Sequence, residues 1–241
     1  MSNNDVVTQI AKDYKSGVSK SEKIQKLNQK RLAEKATYLD ADAYSLELAS
    51  ILESSISRNV AVETLAVADY RAIMGAVLPQ GLKGVSGSVS TFAQSVQSGL
   101  NAKNGLAFKA IATAFDAQGA QEIIRKAVNA ERYIDIPGGL KADMMNFSQN
   151  VATRTMKENA ELSNDLGFEV TVDRIYDDVG VHNRKDACEW CLEREGHWTY
   201  AEALANGVFE RHPGCGCQII YNTATGSQRQ TNWQNNQWEN I

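Results

Sequence analysis

All four cysteines of this 241-residue chain lie between Cys188 and Cys217. They form two pairs, Cys188-Glu-Trp-Cys191 and Cys215-Gly-Cys217, and His212-Pro-Gly directly precedes the second pair. Thiols three positions apart on a turn can bind one cation from the same side. Thiols two positions apart can do so where a strand begins, because alternate side chains share a face. The spacing therefore predicts a structural metal site around which the C-terminal part of the chain folds.

More donors are present than a tetrahedral site needs. Four ligands would come from five candidates, and the spacing leaves open which four bind: Cys188, Cys191, Cys215, Cys217 and His212. His182 and His197 are weaker candidates. The residues Pro213, Gly214 and Gly216 favour a tight backbone, on which sulfurs can converge at roughly 2.3 Å from a zinc ion.

Two disulfides are the alternative use of the same cysteines. Residues 1–5 have no basic segment followed by an apolar run, so the sequence shows no secretory signal peptide. In a reducing compartment, paired cysteines bind metal more often than they form disulfides. We therefore expect about one structural zinc ion per chain, with the disulfides as the open alternative.

Several segments follow one another in a characteristic order. Val151-Ala-Thr-Arg154-Thr155 has a helical pattern, Asp186 precedes the first cysteine pair, Gly196-His-Trp198 follows it as a turn, and the second pair leads into Gln218-Ile-Ile-Tyr221. Over residues 121–221 this order resembles the phage head morphogenesis proteins, the minor head proteins of the phage Mu F type. Lys185 and Thr153 depart from the pattern, since many members have His and Ala there.

The resemblance implies a structural protein of a phage head, with no catalytic residues. It implies association with the portal protein, or with capsid or scaffold proteins, during head assembly and DNA packaging or ejection. It also implies that the protein assembles in the host cytoplasm, is part of the virion, and can form oligomers there. Arg154 is implied to make a fold-defining contact with the strand region that follows its helix, and a salt bridge is the alternative role for this residue.

Two other functions fit parts of the same segment. His182-Asn183 beside a cysteine knuckle is compatible with a His-Asn-His nuclease that uses zinc as a scaffold, but no metal-bound His/Asp centre accompanies it. The adjacent acids Asp177 and Asp178 would point to opposite faces of a strand, which makes them a poor chelating pair.

A DNA-binding zinc module is the other alternative, and it needs a basic element beside the knuckle. There the basic residues Arg184, Lys185, Arg194 and Arg211 are offset by Asp186, Glu189, Glu193, Glu195 and Glu210.

Composition predicts an α+β protein that is predominantly α-helical. Hydrophobic residues make up 43% of the chain, which is enough for a sizeable core. Aromatic residues are sparse at 7%, prolines are few, and Ala, Leu, Gln and Glu abound, which favours helix over sheet. The formal net charge of −4 gives no general attraction to nucleic acid. No apolar run approaches the roughly 20 residues that span a bilayer, so we expect no membrane partner.

Glycines and prolines divide the chain into four predicted regions. Residues 1–80 form a helical region in which Pro79 ends a long helix, or a pair of helices, over 43–78. Residues 81–120 form a connector of short helices that starts with a flexible Gly/Ser joint at 80–90. Residues 121–222 form a small domain with helices over 117–134 and 140–166. Its short sheet, from strands over 168–176 and 218–221, is stapled by the zinc knuckle, and residues 223–241 form a polar tail.

Two surface features predict contacts with partners. Trp233 and Trp238 stand in the polar tail, where an exposed pair of tryptophans predicts docking on a neighbouring subunit, or folding back onto the same domain. A basic helix face near residues 20–35 is a candidate contact for packaged DNA, with a solvated helix face as the alternative. Its basic residues are Lys20, Lys23, Lys26, Lys30, Arg31 and Lys35.

Overall fold

The computed structural model describes residues 2–61, 65–176, 188–212, 215, 217–225 and 228–230. Six helices make up the larger part: α1 Asn3–Lys20, α2 Glu22–Leu32, α3 Tyr38–Val60, α4 Val67–Lys103, α5 Ala117–Asn129 and α6 Leu140–Asp165. Short elements follow in the order β1 Glu169–Tyr176, α7 Glu189–Leu192, β2 Gly196–Thr199, α8 Tyr200–Ala205, β3 Cys217–Thr225 and β4 Gln228–Gln230, and a 3₁₀ turn over Tyr133–Asp135 precedes α6. The predicted α+β class, predominantly helical, is confirmed.

Side-chain caps fix where several helices begin. Thr37 accepts a hydrogen bond from the backbone N–H of Asp40, whose carboxylate accepts one from the N–H of Thr37, and this capping box starts α3. Thr199 and Glu202 form the same box at the start of α8, as the sequence predicts. Gly207 follows α8 with φ +62°, a backbone conformation that favours glycine. No helix in the described ranges is long and apolar enough to cross a bilayer.

Helix α4 contradicts two predictions. Pro79 lies inside this 37-residue helix and does not end it, and residues 80–90 are helical, not a flexible joint. Pro79 removes one backbone hydrogen bond, to the carbonyl of Gly75. The apolar face nevertheless continues at helical spacing on both sides of it, and burying that face stabilises the helix by more than the lost bond costs. Its buried apolar residues are Tyr70, Ile73, Met74, Val77, Leu78, Leu82, Val85, Val89, Phe92, Ala93 and Val96.

The sheet has the strand order β2-β1-β3-β4, with every neighbouring pair antiparallel. Both predicted strands are confirmed, since β1 pairs with β3 along its length from Glu169–Ala224 to Tyr176–Cys217. Gly196-His-Trp198, predicted as a turn, is instead the start of the edge strand β2. Arg174 lies opposite Ile219, so this arginine sits on the face of the sheet that carries Val172 and Tyr176.

The helices and the sheet share one hydrophobic core. Helix α3 packs against α1, α4 and α6, and α6 packs in turn against β1 and β3. Buried apolar residues form a continuous cluster from Val6 in α1 to Tyr221 in β3. The helical N-terminal region and the C-terminal sheet are therefore joined by packing, with no break in the core at the predicted connector of residues 81–120.

The segment between α4 and α5 lies across α6. The side chain of Asn159 accepts a hydrogen bond from the N–H of Ile111 at 2.8 Å and donates one to its carbonyl at 2.9 Å. Arg154, also on α6, pairs with Asp116 at 3.5 Å. Asp116 caps α5, so the described partner of Arg154 is a helix start and not the strand region that the resemblance implied.

The basic face of α2 is partly neutralised by acidic neighbours. Lys23 pairs with Glu47 at 3.7 Å, Lys26 with Glu22 at 3.8 Å, and Lys30 with Asp40 at 2.7 Å. The Arg31 guanidinium lies 5.9 Å from the centroid of the Phe92 ring. Three of the six basic residues of this face are thus ion-paired within the chain and Arg31 lies against a ring, which favours a solvated helix face over a strongly basic groove.

Candidate metal centre

Three parts of the chain bring the predicted ligands together at one end of the sheet. Cys188 caps α7 and Cys191 lies within it. Cys217 begins β3 opposite Tyr176, the last residue of β1. The backbone N–H of Cys215 donates to the carbonyl of His212 at 3.0 Å, which holds these two candidates close together.

The donor atoms form two overlapping groups. His212 Nε2 lies 3.1 Å from the Sγ of Cys188 and 2.9 Å from the Sγ of Cys191. Cys191 Sγ lies 3.9 Å from Cys215 Sγ. Within 4.8 Å of one another are Cys188, Cys191 and His212, and likewise Cys191, Cys215 and Cys217. Cys191 belongs to both groups and is therefore the centre of the cluster.

The arrangement fits a bound metal better than disulfides. All four cysteines are free thiols, and the Cys191–Cys215 separation of 3.9 Å is far longer than the roughly 2.05 Å of an S–S bond. Two sulfurs bound tetrahedrally at about 2.3 Å to one zinc ion lie about 3.8 Å apart, which is close to the observed separation. The five side chains could bind a metal ion.

Burial gives the cluster an inner and an outer side. Cys191, Cys215 and Cys217 are buried, whereas Cys188 is exposed. The buried cysteines pack with Tyr176 and with the half-buried ring of Trp190. A site of this kind is closed on the side of the sheet and open to solvent at Cys188.

The buried thiols differ in how readily they ionise. The Cys217 thiol donates a hydrogen bond to Cys215, and together with the nearby guanidiniums of Arg211 and Arg174 it lowers the pKa of Cys215 to about 4. The shared proton stays on Cys217, which raises the pKa of that thiol. Burial raises the pKa of Cys191 to about 11. The protein interior thus stabilises a thiolate at Cys215, the ionised form that binds a metal.

Two buried arginines surround the cluster, and sequence reasoning assigned neither of them to the site. Arg174 donates from Nη1 to the carbonyls of Val208 and Glu210 at 2.6 and 2.7 Å, and from Nη2 to Cys215 Sγ at 3.4 Å. The alternation of β1 could have revealed it, because an arginine at a buried position between Val172 and Tyr176 needs a specific partner.

Arg211 links the cluster to the helices. Its guanidinium donates to Thr153 Oγ1 at 2.9 Å, to the carbonyl of Cys217 at 2.9 Å and to Asp42 Oδ2 at 3.1 Å. These three partners lie on α6, β3 and α3. The residue directly before His212 is therefore fixed to two core helices and to the sheet.

Two guanidiniums lie against the Trp190 ring. The guanidinium carbon of Arg174 is 4.9 Å from the ring centroid, and that of Arg194 is 4.0 Å from it. The ring of His212 meets it edge-on, with 5.4 Å between the centroids. Trp190, in the middle of the Cys-x-x-Cys pair, thus packs against His212, the residue that precedes the second cysteine pair.

The other predicted residues do not join this cluster in the described part of the chain. His197 lies on β2, where its Nδ1 is 2.5 Å from Asp173 Oδ1. Several predictions lie outside the described residues: those for Asp177, Asp178, His182, Asn183, Asp186, Pro213, Gly214, Gly216, Trp233 and Trp238. Comparisons of the chain with protein-family models, with known proteins and with solved structures found no match.

Proposed function

We propose that this chain is a structural protein of a bacteriophage head, a minor head protein whose C-terminal part is held by one zinc ion. The observation that carries the proposal is the convergence of the five Cys and His side chains at the end of the β1–β3 pair. Their order along the chain is the order in the head morphogenesis proteins that the sequence resembles. Three of the four thiols are buried, which suits a closed structural site better than a catalytic one with an open position.

Zinc is the metal that these donors favour. Thiolate sulfur with imidazole nitrogen, in tetrahedral geometry, is the usual structural zinc site, whereas magnesium and calcium prefer oxygen ligands. Structural zinc contributes roughly 10–16 kcal/mol of apparent binding free energy in small domains at pH 7. That is comparable to the whole stability of a typical domain, about 5–15 kcal/mol. The ion would join α7 to the start of β3 and so complete the short sheet.

The remaining parts of the proposal concern partners. The helices would supply surfaces for the portal protein, or for capsid or scaffold proteins, during assembly in the host cytoplasm, and the chain would stay in the virion. Trp233 and Trp238 would anchor on such a partner. Contact with packaged DNA would fall to the basic face near residues 20–35, where Lys20 at the end of α1 and Lys35 after α2 are exposed.

Co-purification tests the assembly role. A tagged full-length chain is expressed together with the portal and capsid proteins of the same phage and isolated without chelator. We expect the portal protein to co-purify with the wild type and to be lost with Cys191→Ser. Cleavage of plasmid DNA by the purified chain with divalent metal, without any bound head protein, would contradict the proposal and favour the nuclease alternative.

A further inference from the structure

Arg174 is a charged side chain buried in the protein interior. It is fully buried on β1. Among the described residues, no carboxylate lies within ion-pair distance of its guanidinium, whereas Arg154, Arg194 and Arg211 each have one. A buried charge without a counter-charge costs several kcal/mol, so Arg174 needs negative charge from another source.

The contacts of Arg174 identify that source. Its Nη1 donates to the carbonyls of Val208 and Glu210, which are neutral acceptors, and its Nη2 donates to Cys215 Sγ at 3.4 Å. Its Nε has no hydrogen-bond partner in the described part of the structure. Of these described partners, only the sulfur of Cys215 can carry a negative charge. The other buried guanidinium, Arg211, already pairs with Asp42 at 3.1 Å.

We propose that Arg174 is the outer-sphere counter-charge of the metal centre. A divalent ion with three or four thiolates has a net negative charge, and Arg174 balances it while its N–H···S bond holds Cys215 in the orientation that binds the ion. The inference rests on the proposed metal site and adds a positioning residue to it. It also explains why an arginine occupies a buried position in an otherwise apolar face of β1.

Arg194 provides a matched control. Its guanidinium also lies against the Trp190 ring, at 4.0 Å from the centroid. It donates to the carbonyl of Trp190 at 3.0 Å and pairs with Glu193 at 3.4 Å, and none of its described contacts is to a sulfur. Replacing Arg194 therefore removes a guanidinium from the same ring without removing a hydrogen bond from a ligand.

The experiment compares full-length wild type with Arg174→Met, Arg174→Lys and Arg194→Met. Zinc affinity is measured by competition with a chromophoric chelator, and the sulfur-to-cobalt charge-transfer band is recorded after loading with Co²⁺. Loss of an outer-shell partner typically costs about 10- to 100-fold in metal affinity, and we expect that loss for Arg174→Met. The band should also move to longer wavelength, because the sulfur no longer shares electron density with a donor. Arg174→Lys should recover most of the affinity, and Arg194→Met should match the wild type.

Several results would overturn the inference. If wild type and Arg174→Met bind zinc equally with the same cobalt band, Arg174 has no role at the centre, although the metal site stands. Equal losses in Arg174→Met and Arg194→Met would assign the effect to packing against Trp190. If Arg174→Met does not fold, Arg174→Lys decides the question, because a lysine variant that folds but binds zinc about 10- to 100-fold more weakly than the wild type contradicts a charge role. A wild type that binds no metal would overturn both this inference and the proposed function.

Discussion

Arg211 and Asp42 form an ion pair at 3.1 Å although they lie 169 positions apart in the sequence. The Arg211 side chain is 3% exposed and that of Asp42 is 19% exposed. Arg211 directly precedes the candidate ligand His212, and Asp42 lies in the first turns of α3. This pair fixes the segment that carries His212 to the helical core, so the two parts of the chain should respond together to changes in either.

Asp42→Ala should destabilise the protein strongly. It leaves a buried guanidinium without its carboxylate, a change that costs about 3–5 kcal/mol in the free energy of unfolding. The control is Asp40→Ala on the same helix, which removes the pair with Lys30, a lysine that is 56% exposed, and the capping box with Thr37, for about 1 kcal/mol. Chemical denaturation measures both. Similar losses in the two variants would contradict a special role for the Arg211–Asp42 pair.

Asp42 should also give the stability a pH dependence. Burial raises the pKa of Asp42 although the Arg211 charge acts in the opposite direction. Between the unfolded value of about 3.9 and the raised native value, the native state keeps a proton that the unfolded state has released. The contribution of this group is therefore fully present below the unfolded pKa and is lost as the pH rises through the native pKa.

Asp42→Asn removes that titration and isolates it. The stability of the wild type minus that of Asp42→Asn should decrease as the pH rises from about 4 and become constant above the native pKa. Urea denaturation of both proteins across pH 4–8 provides the comparison. A difference that grows with pH would show that the attraction to Arg211 outweighs burial, and that the pKa of Asp42 is lowered.

Glycine replacements test the continuous helix α4. An added Cβ at Gly84 or Gly87 would meet no atom within 4 Å, so alanine should raise the free energy of unfolding by roughly 0.5–1 kcal/mol at each position. At Gly81 the added Cβ would lie 2.8 Å from Cδ2 of the buried Leu52, and alanine should destabilise. If residues 80–90 formed a flexible joint, all three replacements would have similar, small effects.

The fold was predictable where local chemistry and tertiary packing agree. The alternation over residues 168–176, the Thr199–Glu202 capping box and the helix after residue 139 each predict the observed element. The predicted helix end at Pro79 and the predicted joint after it were wrong. Local propensity favours a break at this proline and the glycines that follow it, whereas the apolar face from Tyr70 to Val96 is buried along one helix. Burial is a tertiary effect that propensity does not contain.

The convergence of the candidate ligands was predictable, but the surroundings of the site were not. The spacing of the cysteines identified the side chains that converge, because turns and strand starts place nearby thiols on one side. Arg211 was counted only among the charges beside the knuckle, since its partner Asp42 is remote in sequence. Arg174 carried a signal in the alternation of β1, but recognising a buried arginine requires knowing which face of the sheet is covered.

Cysteine replacements should separate the central ligand from an outer one. Cys191 belongs to both donor groups, so Cys191→Ser should abolish tight metal binding. Cys188 is exposed, and without it the other four candidates could still supply a tetrahedral set, so Cys188→Ser should only weaken binding. Chelator competition measures both affinities. Equal loss in the two variants would show that Cys188 is as necessary as Cys191.

The shared core predicts how the protein unfolds when Cys191 is replaced. Because α6 packs against α3, α4 and the sheet, Cys191→Ser should lower the stability of both halves in one transition. Limited proteolysis of this variant should therefore yield no stable fragment that ends near residue 80. Release of such a fragment would mean that the N-terminal helices fold on their own and that the packing of α6 against them is weak.

Elemental analysis of the full-length protein, purified without chelator under reducing conditions, tests the metal centre most directly. We expect about one zinc ion per chain in the wild type and close to none in Cys191→Ser. Mass spectrometry of the same samples should find the four cysteines of the wild type as thiols. Wild-type protein without metal, with Cys188, Cys191, Cys215 and Cys217 joined in disulfides, would contradict the account.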